Sequence, residues 1–210
     1  MKFSIHLPSS AKREAFIRSK TFCFPTYPEI RDTTVDFTLR KASAAARKYD
    51  YDENRILLGT GRLTFEAAKA AIREWQMFPT GWIKVHPHLQ SIEAGNKVAV
   101  FFKVLGLWWW NSSEIIYTID EEDRFGFAYG TLSGHVETGE ERFLVEMDKK
   151  GRVWYSIKAF SRPSYQIVRL VYPFARSRQK KFVRDSMQQM KRWVEEYQPS
   201  GPVNKASIQP

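Results

Sequence analysis

Cysteine is almost missing from this 210-residue chain, in which Cys23 is the single thiol. One cysteine excludes an intrachain disulfide framework and fits a reducing compartment. A nucleophilic role for Cys23 would need a histidine and an orienting group, and the spacing supplies neither. Long apolar runs are missing as well. The opening MKFSIHLPSSAKREAF lacks the roughly 7–15-residue apolar core of a secretory signal, and no stretch nears the ~20 apolar residues of a membrane helix. The sequence therefore predicts a soluble, cytoplasmic protein without a transmembrane segment. There is no internal repeat, and only the tail PSGPVNKASIQP, rich in Pro, Ser and Gly, reads as a frayed end.

Acidic residues are in deficit, 23 against 33 Lys and Arg, for a net charge of +10. Half of that excess lies between Ser164 and Tyr197, which carries eight basic and three acidic residues, densest in ARSRQKKFVR. A basic segment can meet nucleic acid or an anionic membrane. No nucleic-acid motif accompanies it, and its basic residues fall where an amphipathic helix needs a solvated face. No nucleic-acid partner is expected; peripheral membrane contact stays open.

Aromatic residues are plentiful: seven Trp, nine Tyr and fifteen Phe, enough to line a large apolar interior. Residues 1 to 53 lack steady periodicity apart from one short helical stretch, LRKASAAARKY, and are expected to pack as an N-terminal extension on a main domain spanning 54 to 197, followed by a tail from 198 to 210. RILLGTG reads as a strand. LTFEAAKAAIREWQMF reads as a helix, with Phe65, Ala68, Ala71, Ile72 and Trp75 on one stripe and Thr64 as N-cap. Six strand-like segments follow, GWIKVHP, NKVAVFFKVLG, SEIIYTIDEE, RFGFAYGTL, ERFLVEMD and RVWYSIKAF, joined by links short enough to require an antiparallel meander. The stretch from Ser161 to Tyr197 reads as an amphipathic helix that Pro173 must kink or restart. That order predicts an α+β fold in which a curved antiparallel sheet grips a long C-terminal helix, with a cavity between them.

GTLSGHVETGEERF, residues 130 to 143, concentrates three glycines, one histidine and three glutamates. It superficially resembles the start of a Nudix box, but Asp148 and Lys149 stand where the Arg-Glu pair belongs, so that reading fails. Two accounts stay open. In one, Gly130, Gly134 and Gly139 turn the chain between strands and the glutamates solvate the turn. In the other, His135, Glu137, Glu140 and Glu141 stand at the mouth of the cavity, with Tyr129 presenting its phenol, for proton transfer or for binding a polar head group. His86 and His88 could share a strand face as metal ligands with His135, but Pro87 weakens the strand and no metal is expected. The glycines of GTG at 59 to 61 are too few for a phosphate loop. In WWW, alternation sends Trp108 and Trp110 to one face and Trp109 to the other, at an expected strand junction; core packing competes with ligand or partner contact. Ser161 or Ser164 is expected to cap the last helix, with Pro163 in its first turn and Arg162 beside the glutamates of 137 to 141, as a structural ion pair or an anion anchor.

Three segments, GTGRLTFEAAKAAIREWQMFPTGW, RFGFAYGTLSGHVETGEERF and YSIKAFSRP, in that order and spacing, resemble the DUF1990 (UPF0548) family of uncharacterised proteins. That family is grouped with the helix-grip superfamily of the START lipid-transfer domains, the birch-pollen allergen (Bet v 1-like) and the polyketide cyclases. The resemblance covers roughly residues 54 to 195 by position. It implies a helix-grip fold and a cavity, and no particular activity or cofactor. The leading expectation is a protein that binds a hydrophobic or amphipathic small molecule through Tyr129, His135, Glu137, Glu140, Glu141, Ser161, Arg162 and Trp108. An enzyme of the same fold doing acid/base chemistry, cyclase- or dehydratase-like, is the alternative, with His135 or a glutamate as base. A third is nucleic-acid or anionic-membrane binding through the C-terminal helix.

Overall fold

The computed structural model describes residues 1–38, 48–87 and 91–197. Its strands are β1 (Lys2–Ser4), β2 (Asp50–Thr60), β3 (Ile83–His86), β4 (Lys97–Val104), β5 (Leu107–Asp120), β6 (Arg124–Thr131), β7 (Glu137–Met147) and β8 (Arg152–Pro163). Its helices are α1 (Ser10–Arg18), α2 (Arg62–Arg73), α3 (Gln166–Leu170) and α4 (Tyr172–Glu196). The strands form one antiparallel sheet in the order β2-β8-β7-β6-β5-β4-β3. β1 pairs with the first part of β5, a stretch that β6 does not reach. Register shifts between Leu57 and Gly59 and between Ile115 and Tyr117 bend the strands, as bulges do. The expected α+β meander with its C-terminal helix is the observed one.

The sequence stripes explain how the helices sit. Phe65, Ala68, Ala71 and Ile72 of α2 are buried against the sheet's inner face, joined by Met190 of α4 and flanked by Phe182, Val183, Met187 and Trp193. α2 ends sooner than its stripe predicts, because Trp75 takes a left-handed conformation; Gln189 of α4 then donates to the carbonyls of Gln76 and Phe78 at 2.6 and 3.0 Å. Gly61 rather than Thr64 precedes that helix, and Thr64 instead bonds back to the Thr60 carbonyl. β8 continues through Pro163, so Ser161 and Pro163 belong to a strand, and the next helix starts without a side-chain cap. As Pro173 requires, the chain breaks at Val171 and restarts as α4. The expected helix LRKASAAARKY falls largely on 39–47, outside the described residues.

The N-terminal residues cover the sheet's outer face. Tyr27, Phe37 and Tyr49 bury against Phe160, while Leu7, Phe16 and Ile17 pack on Ala99, Phe101, Trp108 and Trp110. Glu140, 2% exposed, anchors this cover. Its carboxylate accepts from the Tyr27 hydroxyl at 2.9 Å, the backbone N–H groups of Arg31 and Thr33 at 2.9 and 3.2 Å, and the Thr33 hydroxyl. Gly130 makes room for Tyr27: a Cβ there would lie 2.1 Å from the tyrosine oxygen.

A carboxylate surrounded by donors cannot be exchanged for an amide without opposing N–H to N–H. Glu140→Gln is therefore expected to cost about 2–3 kcal/mol in urea unfolding and to speed tryptic cleavage after Lys20 and Arg31. Wild-type stability and cleavage rate in this variant would show that the anchor is dispensable.

Candidate functional site

A cavity of about 530 Å³ lies between the inner face of the sheet and α3–α4. Its walls are mostly apolar, with Phe78, Trp82, Phe102, Trp109, Ile157 and Phe182 prominent. At one end the lining turns polar, and strand alternation makes the change. Inward positions run Phe143, Glu141, Gly139, Glu137 along β7, Ile157, Ala159, Ser161 along β8, and Ile56, Asn54, Asp52 along β2. β7 and β8 approach so closely that a Cβ on Gly139 would lie 1.9 Å from the Phe160 carbonyl oxygen.

Tyr129 of β6 stands opposite Glu141 of β7 and donates its hydroxyl to that carboxylate at 2.7 Å. Burial is the main cause that pushes the Glu141 carboxyl up to about 7, opposed by the Tyr129 bond and reinforced by the charges of Glu137 and Asp52. Glu137 is likewise raised to about 7, first by burial, while Gln179 of α4 donates to it and Arg176 pulls it down. Both side chains keep some accessible surface, but it faces the cavity, where protein atoms replace most of the hydration. Arg176 itself is held by Asp52 through two bonds of 2.6 and 2.8 Å. Among the described residues, no Lys, Arg or His forms an ion pair with Glu137 or Glu141.

His135 sits in the β6–β7 turn. Its Nδ1 accepts the Glu137 backbone N–H at 3.0 Å, which leaves the proton on Nε2. Burial lowers its pKa from 6.5 to about 4. With that lone pair occupied and the ring neutral, His135 has its Nε2–H to donate and no free lone pair with which to act as the base that the sequence offered as one alternative.

Of the eight residues the sequence singles out, Tyr129, His135, Glu137, Glu141 and Ser161 line the cavity with their side chains. Three do not. Glu140, one step out of phase with its neighbours, points to the outer face and anchors Tyr27, Arg31 and Thr33. Arg162 lies opposite Thr138, its guanidinium 5.1 Å from the Tyr49 ring centre, and makes no ion pair with the glutamates among the described residues. Trp108 packs outward beside Phe101 and Trp110; its neighbour Trp109 is the tryptophan that lines the cavity. WWW also lies within β5 rather than at a strand junction. Asp52, Asn111 and Gln179 join the polar end without having been anticipated. Alternation along DYDENRIL and NSSEI offered the first two, whereas Gln179 needs the angle at which α4 crosses the sheet. His86 bonds Glu14 at 3.1 Å, and His88 is outside the described residues. No group of three or more His, Cys, Asp or Glu among the described residues could hold a metal ion.

Residues 26–189 match the family model for a domain of unknown function, DUF1990, a span that holds both the cavity and the strands around it. The chain belongs to the DUF1990 family. It is 38% identical to a UPF0548 protein of Dictyostelium discoideum over 172 residues, 75% of this chain and 80% of that one. A Deinococcus radiodurans UPF0548 protein is 31% identical over 194 residues, 87% and 93% of the two chains. The fold is similar to that of the hypothetical protein jhp0584 from Helicobacter pylori, with TM-score 0.51 and 10% identity over 74% of this chain and 93% of that one. The structure of Ara h 8.0201 gives a TM-score of 0.46 at 12% identity, over 71% and 99%. No helix among the described residues is long and apolar enough to cross a membrane.

The raised carboxyls set a stability trend. Glu137 and Glu141 hold protons in the native state between 4.5 and about 7 that the unfolded chain releases, so their contribution is present below 4.5 and is lost as pH rises through about 7. His135, depressed to about 4, works the other way between 6.5 and 4. At about pH 8, Glu141→Gln keeps an acceptor for Tyr129 and removes a buried charge, and is expected to stabilise by about 1–2 kcal/mol, a gain that fades towards pH 5. Calorimetric melting across that range checks it; destabilisation at pH 8 would mean that the charge is well solvated.

Proposed function

We propose that this member of the DUF1990 family is a cytoplasmic binding protein that holds a hydrophobic or amphipathic small molecule in the cavity between sheet and C-terminal helix. The observation that carries this reading is the cavity's two-ended character: a volume of about 530 Å³, within the usual ~300–1,000 Å³ of small-molecule sites, mostly apolar and lined at one end by Tyr129, His135, Glu137, Glu141 and Gln179. A packed core would not leave such a volume empty, and a solvated turn would not bury two carboxyls. The rim adds support. Leu105, Ile167, Val171 and Phe174 line the cavity and are also exposed, at 79, 54, 48 and 38%, which gives an apolar guest a continuous way in.

Native mass spectrometry of protein purified without detergent, followed by extraction, is expected to reveal a bound small molecule. Nile red is expected to bind with blue-shifted emission, and Ala159→Phe, which fills the cavity opposite Glu141, to weaken it roughly tenfold while the fold stays intact. A protein that flies bare and leaves the dye in water would end this reading.

The raised Glu141 carboxyl beside the Tyr129 hydroxyl favours a second reading, proton transfer on a bound ring or polyketide-like substrate. A carboxyl near 7 is poised to take a proton at neutral pH, and the phenol can donate to an oxygen on which charge develops. Its signature is exchange of solvent deuterium into the α-positions of a bound cyclic ketone, followed by NMR and abolished by Glu141→Gln. Exchange no faster than in buffer would leave binding as the whole activity.

A further inference from the structure

The polar end of the cavity is chemically one-sided. Glu141 uses Oε2 to accept from Tyr129, and its Oε1 has no partner among the described residues. The ionisable groups around it are Tyr129 on β6, Glu137 on β7, Tyr155 on β8, Asp52 on β2 and His135 in the turn. None of these is a cation near neutral pH. Arg176 of α4 reaches Glu137 electrostatically, but its guanidinium is committed to Asp52. Asp50, which also bears on Glu137, takes the Tyr172 hydroxyl. Arg178 also lines the cavity from α4, with its guanidinium 5.2 Å from the Phe174 ring centre and its buried Nε without a hydrogen-bond partner; among the described residues it forms no ion pair with Glu137 or Glu141. A protein with net charge +10 has thus placed the Glu141 carboxyl against this cavity without an ion pair to it among the described residues.

A second observation lies on β5. Asn111 is 5% exposed and lines the cavity; its carbonyl accepts the Val136 N–H at 3.2 Å, while its Nδ2 amide has no partner among the described residues. Asn111 offers the cavity two amide N–H donors and Glu141 an acceptor oxygen, so a guest that carries both an N–H and a lone pair or hydroxyl can use both.

We propose that the cavity takes amphipathic molecules carrying a basic nitrogen, whose ammonium pairs with Glu141, whose apolar body fills the space between sheet and α4, and whose further polar atom, where present, meets Asn111. This rests on the reading of the cavity as a small-molecule site and names the class it selects. An anionic head group placed at Glu141 would face Glu141 and Glu137 together, and a neutral one would leave the Glu141 carboxyl without a counter-charge. Binding is proton-linked. The ammonium pairs with the ionised carboxyl, so a proton held by Glu141 must leave, and affinity falls as pH drops through about 7 while an alkyl amine itself stays protonated.

Isothermal titration of the full chain with decylamine, decanol and decanoate tests this, since the three share one apolar body. At about pH 8 decylamine is expected to bind at least ~10-fold more tightly than decanol, with decanoate weakest. At about pH 5.5 the amine's advantage should shrink to roughly threefold or less. Glu141→Gln should cost decylamine about tenfold and leave decanol within about twofold. If decanol or decanoate matches the amine, or if Glu141→Gln leaves decylamine unchanged, the amine assignment is wrong and the cavity reading survives. If none of the three binds, both are wrong.

Discussion

The interior depends on one phase relation among four strands. Along β2, β8, β7 and β6 the inward-facing positions change from apolar to polar in the same direction across the sheet. Leu58 and Ile56 give way to Asn54 and Asp52, Val153 and Ile157 to Ala159 and Ser161, Val145 and Phe143 to Glu141 and Glu137, and Phe127 to Tyr129 and Thr131. Antiparallel pairing brings these ends together because neighbouring strands run in opposite directions and their gradients run opposite in sequence. The apolar ends close on α2 as a packed core. The polar ends are not covered in that way, and they form one end of the otherwise mostly apolar cavity between the sheet and α3–α4.

This explains which parts of the molecule could be read from the chain. Strand identities were legible because each segment alternates and is bounded by Gly, Asp or Pro; the C-terminal helix was legible through its stripe and its break at Pro173. The content of the acidic string was legible as well, and its division was not. Glu140 and Glu141 are adjacent, so one must face away from the cavity, but parity is fixed only by where β7 begins, and the expected start at Glu141 was four residues late. Trp108 failed for the same reason: the stretch was right and the phase unassigned. Arg162 was drawn to the glutamates by charge alone, yet as the partner of Thr138 in the β7–β8 ladder it had to share Glu140's face, where a tyrosine ring received it.

The two faces treat carboxylates differently, and the contrast defines the site. On the outer face Glu140 is surrounded by donors from the N-terminal residues, so its charge is satisfied by the protein and serves to bind the chain to the sheet. On the inner face Glu141 has one phenol and an open oxygen, and Glu137 one amide. The same residue type, one position apart, is thus a completed network on one side and an incomplete one on the other. Incomplete buried networks destabilise a fold, and here the open oxygen belongs to a residue that lines a volume large enough for a partner to reach it.

Energetics and access then combine. An ionised Glu141 is costly while the cavity is empty, and the protein limits that cost at neutral pH by holding a proton there part of the time. A guest that brings positive charge removes the cost and contributes its own apolar burial, so occupancy and stability rise together. Entry is arranged on the opposite principle. Leu105, Ile167, Val171 and Phe174 leave apolar surface at the rim, where water is displaced cheaply, and the charged end lies beyond it. A molecule that is wholly polar gains nothing at the rim, and one that is wholly apolar gains nothing at the end; under the proposed function, that is why a molecule that is both would be preferred.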